Sequence, residues 1–288
     1  MKKLLYSSVI LLSSAVVLSV TGCSSAKSAK STSADSPELI YKMSSPDGYS
    51  YIHTTTSDQT MDVQGQTVGV STKTVLGFNT KNSESSSEAV SFDVVLDTAH
   101  ISVASMMDDV ISTPDIKGKS FRMSIKPGGK VISSGDASKI TLASEVQGSG
   151  DLSTTFGELF PTFSVREATP GQVWNSTDTV KMKTTMVDGV TIVKAVNTHA
   201  GYVTLNGRRC SYITSVVEGT RDMKMNSQGM DMLMTLTFKG TESVWFDGVE
   251  GIAVKYESSV LGNGDVEVVG MGMSIPLSMN MKTVLELK

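Results

Sequence analysis

Apolar side chains in the second half of this chain recur at every other position, and that step of two commits the backbone to extended strand. Met230, Met232, Met234, Leu236 and Phe238 alternate with Asp231, Thr235, Thr237 and Lys239, with Leu233 the one exception. Successive strand residues point to opposite faces, so the first set shares one face and the second set the other. The closing segment repeats the arrangement, with Leu277, Met279, Met281, Leu285 and Leu287 set against Ser278, Asn280, Lys282, Glu286 and Lys288. Met223 with Met225 and Met271 with Met273 keep the same step, and Met182 and Met186 fit the spacing of their own strand.

The same reading extends over the rest of the chain. Thr-, Val- and Ser-rich runs with period two predict strands over Tyr49–Asp62, Gln66–Asn79, Ala89–Ser102, Ser120–Lys126, Lys130–Ser134, Val180–Val187, Val190–Val196, Tyr202–Leu205, Ser211–Val217, Met230–Lys239, Ile252–Leu261, Val266–Met273 and Leu277–Leu287. Pro127-Gly128-Gly129, Asp188-Gly189 and Asn263-Gly264 accept positive φ and are expected to be hairpin turns. The middle is helix-compatible over Asp136–Val146 and Asp151–Phe160, with Asp136 and Asp151 placed as N-caps and Pro161 as a stop. The expected architecture is mainly β, with antiparallel half-barrel or barrel-like sheets in two β-rich halves joined by a short helical segment. The halves cover residues 37–134 and 163–288, with the helical bridge at 135–162.

The N-terminus is an address. Lys2 and Lys3 precede an uncharged apolar run from Leu4 to Val20, which closes on Val20-Thr21-Gly22-Cys23. A basic start, a short apolar stretch and small residues before a cleavage point make a secretory signal, here residues 1–22. The last four residues resemble the lipobox of bacterial lipoproteins. That resemblance implies a diacylglyceryl group on the Cys23 thiol, cleavage before it and acylation of the new amine with palmitate-type chains. Cys23 would then hold the chain to a membrane, several acyl chains being a far stronger anchor than one. The alternative is a secreted protein whose cleavage site abuts a cysteine. Residues 23–36 are expected to be the lipidated cysteine and a tether, since Ser24–Ser36 contains nothing large or apolar. Ser24 stands where an aspartate would favour the inner membrane, so the expected location is the outer membrane, facing the periplasm.

Without the signal the chain has 29 acidic against 23 basic residues, which argues against a nucleic-acid partner. Lipid on Cys23 leaves Cys210 without a disulfide partner, and its strand context predicts a buried structural thiol. The 17 methionines admit three readings: an ordinary core, the lining of a deformable apolar cavity, or a Cu(I) site. Copper ranks last, because His53, His100 and His199 all lie far from any methionine pair and a long stripe suits packing better than a compact ligand set.

Catalytic patterns are missing. There is no Gly-x-Ser-x-Gly elbow, no His-Glu-x-x-His and no Cys-x-x-Cys, and no phosphate-cradling glycine loop precedes a helix. The histidines are expected to face solvent or be hydrogen-bonded. The acidic pairs Asp108-Asp109 and Asp93 with Asp97 lack a calcium-loop pattern, so no metal and no cofactor are expected. Ser83–Glu88 is expected to be a polar hairpin tip, and Gly207-Arg208-Arg209 a basic turn.

The segment Gly240–Gly251 (GTESVWFDGVEG), followed by a strand, resembles the hairpins of bacterial half-barrel lipoprotein carriers, which implies an antiparallel sheet curved around an apolar cavity and closed by helices. Gly118-Lys119-Ser120-Phe121, Phe160-Pro161, Gly171-Gln172-Val173-Trp174, Gly207-Arg208-Arg209-Cys210 and Trp245-Phe246-Asp247 resemble a family of envelope lipoproteins of uncharacterised activity, which lends no catalytic residues. The expected function is therefore non-enzymatic: a membrane-anchored envelope lipoprotein that binds an apolar or amphipathic ligand or an envelope protein. The candidate ligand-binding set is Met230, Met232, Met234, Leu236, Phe238, Met279 and Met281. A solid interaction module is the alternative, and a hydrolase with a spatially assembled site ranks third.

Overall fold

The computed structural model describes residues 37–63, 65–105, 109–144, 148–183, 187–227 and 230–288. The signal segment, Cys23, the tether to Ser36, Asp108 and Met186 lie outside them. The described residues form strands β1 (Tyr49–Val63), β2 (Gln66–Ser85), β3 (Val90–Ser105), β4 (Asp109–Ser112), β5 (Ser120–Ile125), β6 (Val131–Ser133), β7 (Thr141–Ser144) and β8 (Gly148–Asp151). Helix α1 (Leu152–Gly157) follows, and then β9 (Val173–Lys183), β10 (Val187–Leu205), β11 (Arg208–Ser227), β12 (Met230–Asp247), β13 (Ile252–Val268) and β14 (Met273–Leu287).

Twelve strands make one antiparallel sheet in the order β6-β5-β3-β2-β1-β14-β13-β12-β11-β10-β9, with β4 also on β3. Each half is a meander, and the first long strand pairs with the last, Tyr51 to Met61 opposite Leu287 to Leu277. The sheet is open between β9 and the β4–β6 edge, which gives the expected mainly β half-barrel. Burial alternates along β12 and β14, placing apolar residues inward. The outward face is mixed, with charged ladders such as Lys194–Glu218–Lys239 beside exposed Val190, Ile192, Val196, Val216 and Leu261.

The strands run longer than their apolar patterns predict, and two expected turns fall inside them. Asp188 lies within β10 opposite Lys183 and Lys224, and Asn263 within β13 opposite Thr237 and Ser278. The glycines there serve close packing: a Cβ on Gly264 would lie 1.9 Å from the Thr235 carbonyl oxygen, and one on Gly189 would lie 2.7 Å from Met223 Cγ. A two-residue hairpin forms instead at Asn206-Gly207, with φ of 51° and 75° and Leu205 paired to Arg208. Pro127-Gly128-Gly129 turns as expected, with Lys126 and Lys130 hydrogen-bonded across it.

The bridge is only partly helical. Gly135–Lys139 is a 3-10 turn whose N-cap residue is Ser134 rather than Asp136, and it has no side-chain cap bond. β7 and β8 then pair as a hairpin where helix was expected, and α1 ends at Gly157, four residues short of Pro161. The bridge and the segment Leu39–Met43 fill one end of the half-barrel. Tyr41 packs its ring on Phe160, Phe163 and Phe246, with centroids 5.1–6.1 Å away. Its hydroxyl donates to the Pro161 carbonyl at 2.8 Å. The other end is filled by the inward side chains of the sheet, methionines prominent among them.

Candidate functional site

Alternation also decides what the inside of the half-barrel contains, because each register row of inward residues crosses the whole sheet. One such row is polar over seven strands: Asn197, Ser215, Glu242, Ser258, Thr283, Thr55 and Thr74 lie side by side on β10, β11, β12, β13, β14, β1 and β2, before the row ends on Trp174 of β9 and Ile101 of β3. It forms a belt between two apolar clusters. On one side are the aromatic residues packed by Tyr41, Phe156 and Phe160. On the other are Met232, Met234, Leu236, Phe238, Met279 and Met281, in a single cluster.

Those six members of the candidate ligand set are 5% exposed or less. Met230, the first residue of β12, is half-buried and stands outside the cluster. Cys23 lies outside the described residues. The structure thus brings together most of the methionine face and shows it packed.

The belt is only partly satisfied. Ser215 Oγ donates to Asn197 Oδ1 at 2.7 Å, Asn197 Nδ2 donates to Ser176 Oγ at 3.0 Å, and the Tyr256 hydroxyl donates to Glu242 Oε1 at 3.0 Å. Glu158, just after α1, is 93% buried because its exposure is 7%, and its Oε2 has no hydrogen-bond partner. Its carboxyl interacts electrostatically with Arg221, Asp178 and Tyr256, so it faces the belt and its lower border. Arg221 is the largest fully buried side chain, and its Nε donates to Thr191 Oγ1 at 2.9 Å. Lys130 reaches Asp178 at 3.4 Å, joining the turn before β6 to β9 across the open side of the sheet.

Burial governs the charge states. It pushes Glu158 up to about 7, an effect Arg221 opposes and Asp178 reinforces, and pushes Glu242 up to about 8 against the Tyr256 hydrogen bond. Burial also drives His53 down to about 4. The expectation of solvent-facing or hydrogen-bonded histidines fails here, because His53 is 1% exposed and neither ring nitrogen has a partner. Its odd-numbered place on β1 turns it inward, one row from Thr55. His199 is also inward, its Nδ1 accepting from Gly201 N at 3.2 Å, and only His100 is exposed.

The other sequence features are surface or packing. Ser86 Oγ receives Ala89 N in the exposed tip at Ser83–Glu88. Arg208 pairs with Asp247 at 3.0 Å, and Arg209 lies over Tyr202. Asp93 is bound by Asn82 and Arg122. Cys210 is buried, and burial pushes its thiol up to about 11. Among the described residues no three His, Cys, Asp or Glu side chains converge as a metal site.

Sequence reasoning missed Glu158, Asp178, Arg221 and Glu242. Two carried a signal: Glu242 continues the even-numbered phase of the stripe past Phe238, and Arg221 precedes Met223 and Met225 in theirs. Glu158 is placed by a loop, and no period marks it.

No protein-family model matches the chain, and no curated protein matches it. Among solved structures, OpdQ of Pseudomonas aeruginosa aligns at 6% identity over 84% of this chain and 99% of that one, with a TM-score of 0.28. The translocator domain of the autotransporter NalP from Neisseria meningitidis aligns at 7% identity over 83% and 88%, with a TM-score of 0.20. A Vibrio parahaemolyticus domain assigned to outer membrane lipoprotein sorting aligns at 11% identity over 82% and 85%, with a TM-score of 0.15. Overlaps this slight establish no shared fold, and nothing about this chain is taken from them.

Proposed function

We propose that this chain is a non-enzymatic lipoprotein of the cell envelope, anchored through Cys23 in the outer membrane and facing the periplasm, which holds an apolar or amphipathic ligand inside its half-barrel. One observation carries the reading: the sheet curls with its apolar face inward, and the interior joins a methionine-rich layer to a polar belt with unmet hydrogen-bonding capacity. Thioether side chains rearrange around guests of varied shape, and Met234, Met279 and Met281 lie on three rows of that layer. The charged ladders of the outer face, such as Lys194–Glu218–Lys239, suit a body standing in water. The signal-like N-terminus supports export, and Cys23 in its lipobox-like setting supports the anchor.

A solid interaction module is favoured by a different observation, the near-complete burial of the same methionines. Native mass spectrometry separates the two. The chain carrying Cys23→Ser, exported and purified without detergent, is expected to retain a discrete extra mass that organic solvent removes. A clean apo mass from every preparation would sink the carrier reading and leave the module.

A further inference from the structure

Resting on that carrier reading, we propose that the polar belt is a head-group subsite for a cationic ammonium group, with Glu158 as its principal acceptor and the methionine layer as the seat of the attached alkyl chain. Buried polar atoms are almost always partnered, and those left over point to a ligand or water. Several of the leftovers lie on or beside the belt. Glu158 Oε2, both ring nitrogens of His53, and the hydroxyls of Thr55 and Thr283 are buried without partners. Thr55 and Thr283 are neighbours in register, and His53 is one inward position from Thr55.

The unmet acceptors select the chemistry of the guest. Three carboxyl groups reach this region, on Glu158, Asp178 and Glu242, against one buried guanidinium, on Arg221. Lys130, half-exposed, meets Asp178 from the rim. Glu158 and Glu242 both act on the Tyr256 hydroxyl, so the two acids face a common point. A carboxylate head brings no donor to these acceptors, whereas an ammonium brings a positive charge and the N–H donors they lack, and draws the raised acids toward their ionised forms. The methionine layer begins directly below, with Met281 two residues from Thr283. It extends ~26 Å from Glu242 to Met234 at about 3.3 Å per residue, the length of a long alkyl chain.

The test is isothermal titration of the full chain carrying Cys23→Ser with decylamine, decanol and decanoate at pH 7.5, each below its aggregation threshold. Decylamine is a cation at that pH, as lysine is. The expected result is one decylamine per chain, bound at least tenfold more tightly than either other probe. Glu158→Gln is expected to weaken decylamine binding at least tenfold and so remove its preference over decanol. Glu242→Gln, with the Tyr256 acceptor kept, is expected to reduce the preference severalfold. Equal binding of the three probes, tighter decanoate, or an amine preference that survives folded Glu158→Gln would overturn the head-group assignment while leaving the carrier reading intact. Should Glu158→Gln not fold, the wild-type ranking and Glu242→Gln still decide. Binding of none of the probes would overturn both proposals and assign the unmet groups to water.

Discussion

Glu242 offers the sharpest test of whether the half-barrel interior is dry. Its carboxyl lies in the middle of β12, accepts from Tyr256 and is raised by burial from its ordinary 4.5 to about 8. The folded protein therefore holds a proton that the unfolded chain releases. The stabilisation is complete below about 4.5, is lost as pH rises toward 8 and is level above that. At about 1.4 kcal/mol per unit, the loss is on the order of 5 kcal/mol, a large fraction of an ordinary domain's stability. Glutamine is the closest mimic of the protonated acid, because it keeps an acceptor for Tyr256 and cannot ionise. Glu242→Gln should match wild type within about 1 kcal/mol at pH 5 and exceed it by about 3–5 kcal/mol at pH 8.5. Urea titrations followed by Trp174 and Trp245 fluorescence across pH would measure both values. Parallel pH profiles for the two proteins would refute the reasoning, since they would mean that Glu242 ionises in the folded state as readily as in water.

Glu158 adds a loss of the same sign between 4.5 and about 7. His53 runs the other way: lowered from 6.5 to about 4, it stabilises above 6.5, and that contribution is lost as pH falls through 4. Between 4.5 and 6.5 the two acids lose stability faster than His53 gains it, so the wild-type optimum is expected near pH 4.5, well on the acidic side of neutrality.

Met234→Ala should cost about 2–5 kcal/mol and Met234→Leu less than about 1.5 by chemical denaturation; a negligible alanine cost would mean that this face is not packed. Replacing Met232 and Met234 by Asp should abolish folding or ligand retention, read by circular dichroism and native mass spectrometry. Gly264→Ala must place a methyl group 1.9 Å from the Thr235 oxygen and should cost about 1–3 kcal/mol as the two strands part; an unchanged melting temperature would show that the sheet bends there freely. Lys130→Ala leaves Asp178 without its rim partner and should lower protection of the β9 amides by about 1–3 kcal/mol in hydrogen exchange, whereas unchanged protection would show that the edges are held by other contacts. Cys210 should resist iodoacetamide at pH 8 until denaturant unfolds the chain, and prompt labelling would contradict its buried setting.

What could be read in advance was what alternation records. The period-two stripes at Met230–Phe238 and Leu277–Leu287 gave strand and inward face correctly, because a sheet with one buried face must repeat every second residue. Strand ends were less legible. Asn263-Gly264 and Asp188-Gly189 have turn chemistry, yet each is held in a ladder on both sides, where their lack of bulk matters more than their freedom of φ. The helical composition of 136–146 lost to pairing: Thr141–Ser144 meets Gly148–Asp151 and closes part of the barrel end. The site itself was hidden for a plainer reason. Glu242, Arg221 and Asp178 are charged, and charge ordinarily marks the outer face. Only the tertiary wrap makes their inward phase a burial.

That wrap also locates the weakest line in the molecule. Inward glycines at Gly219, Gly240, Gly262 and Gly264 sit on the three central strands of the C-terminal half, where a Cβ at Gly219 would fall 2.4 Å from Phe238 Cζ. They remove bulk from the concave side and let the sheet coil tightly. Yet the coil does not close, because its outer strands shrink: β9 has 11 residues, and β4, β5 and β6 have 4, 6 and 3, against 18 to 20 for β10 to β12. Short edges leave few backbone groups to join. Parting the sheet between β9 and β10 would break a ladder from Asp188–Lys183 to Thr198–Val173, whereas parting β9 from the opposite edge breaks no backbone ladder and strains the Lys130–Asp178 pair. Asp178 interacts electrostatically with Glu158, so the side of the barrel that opens most cheaply is also the side on which the unmet carboxyl lies.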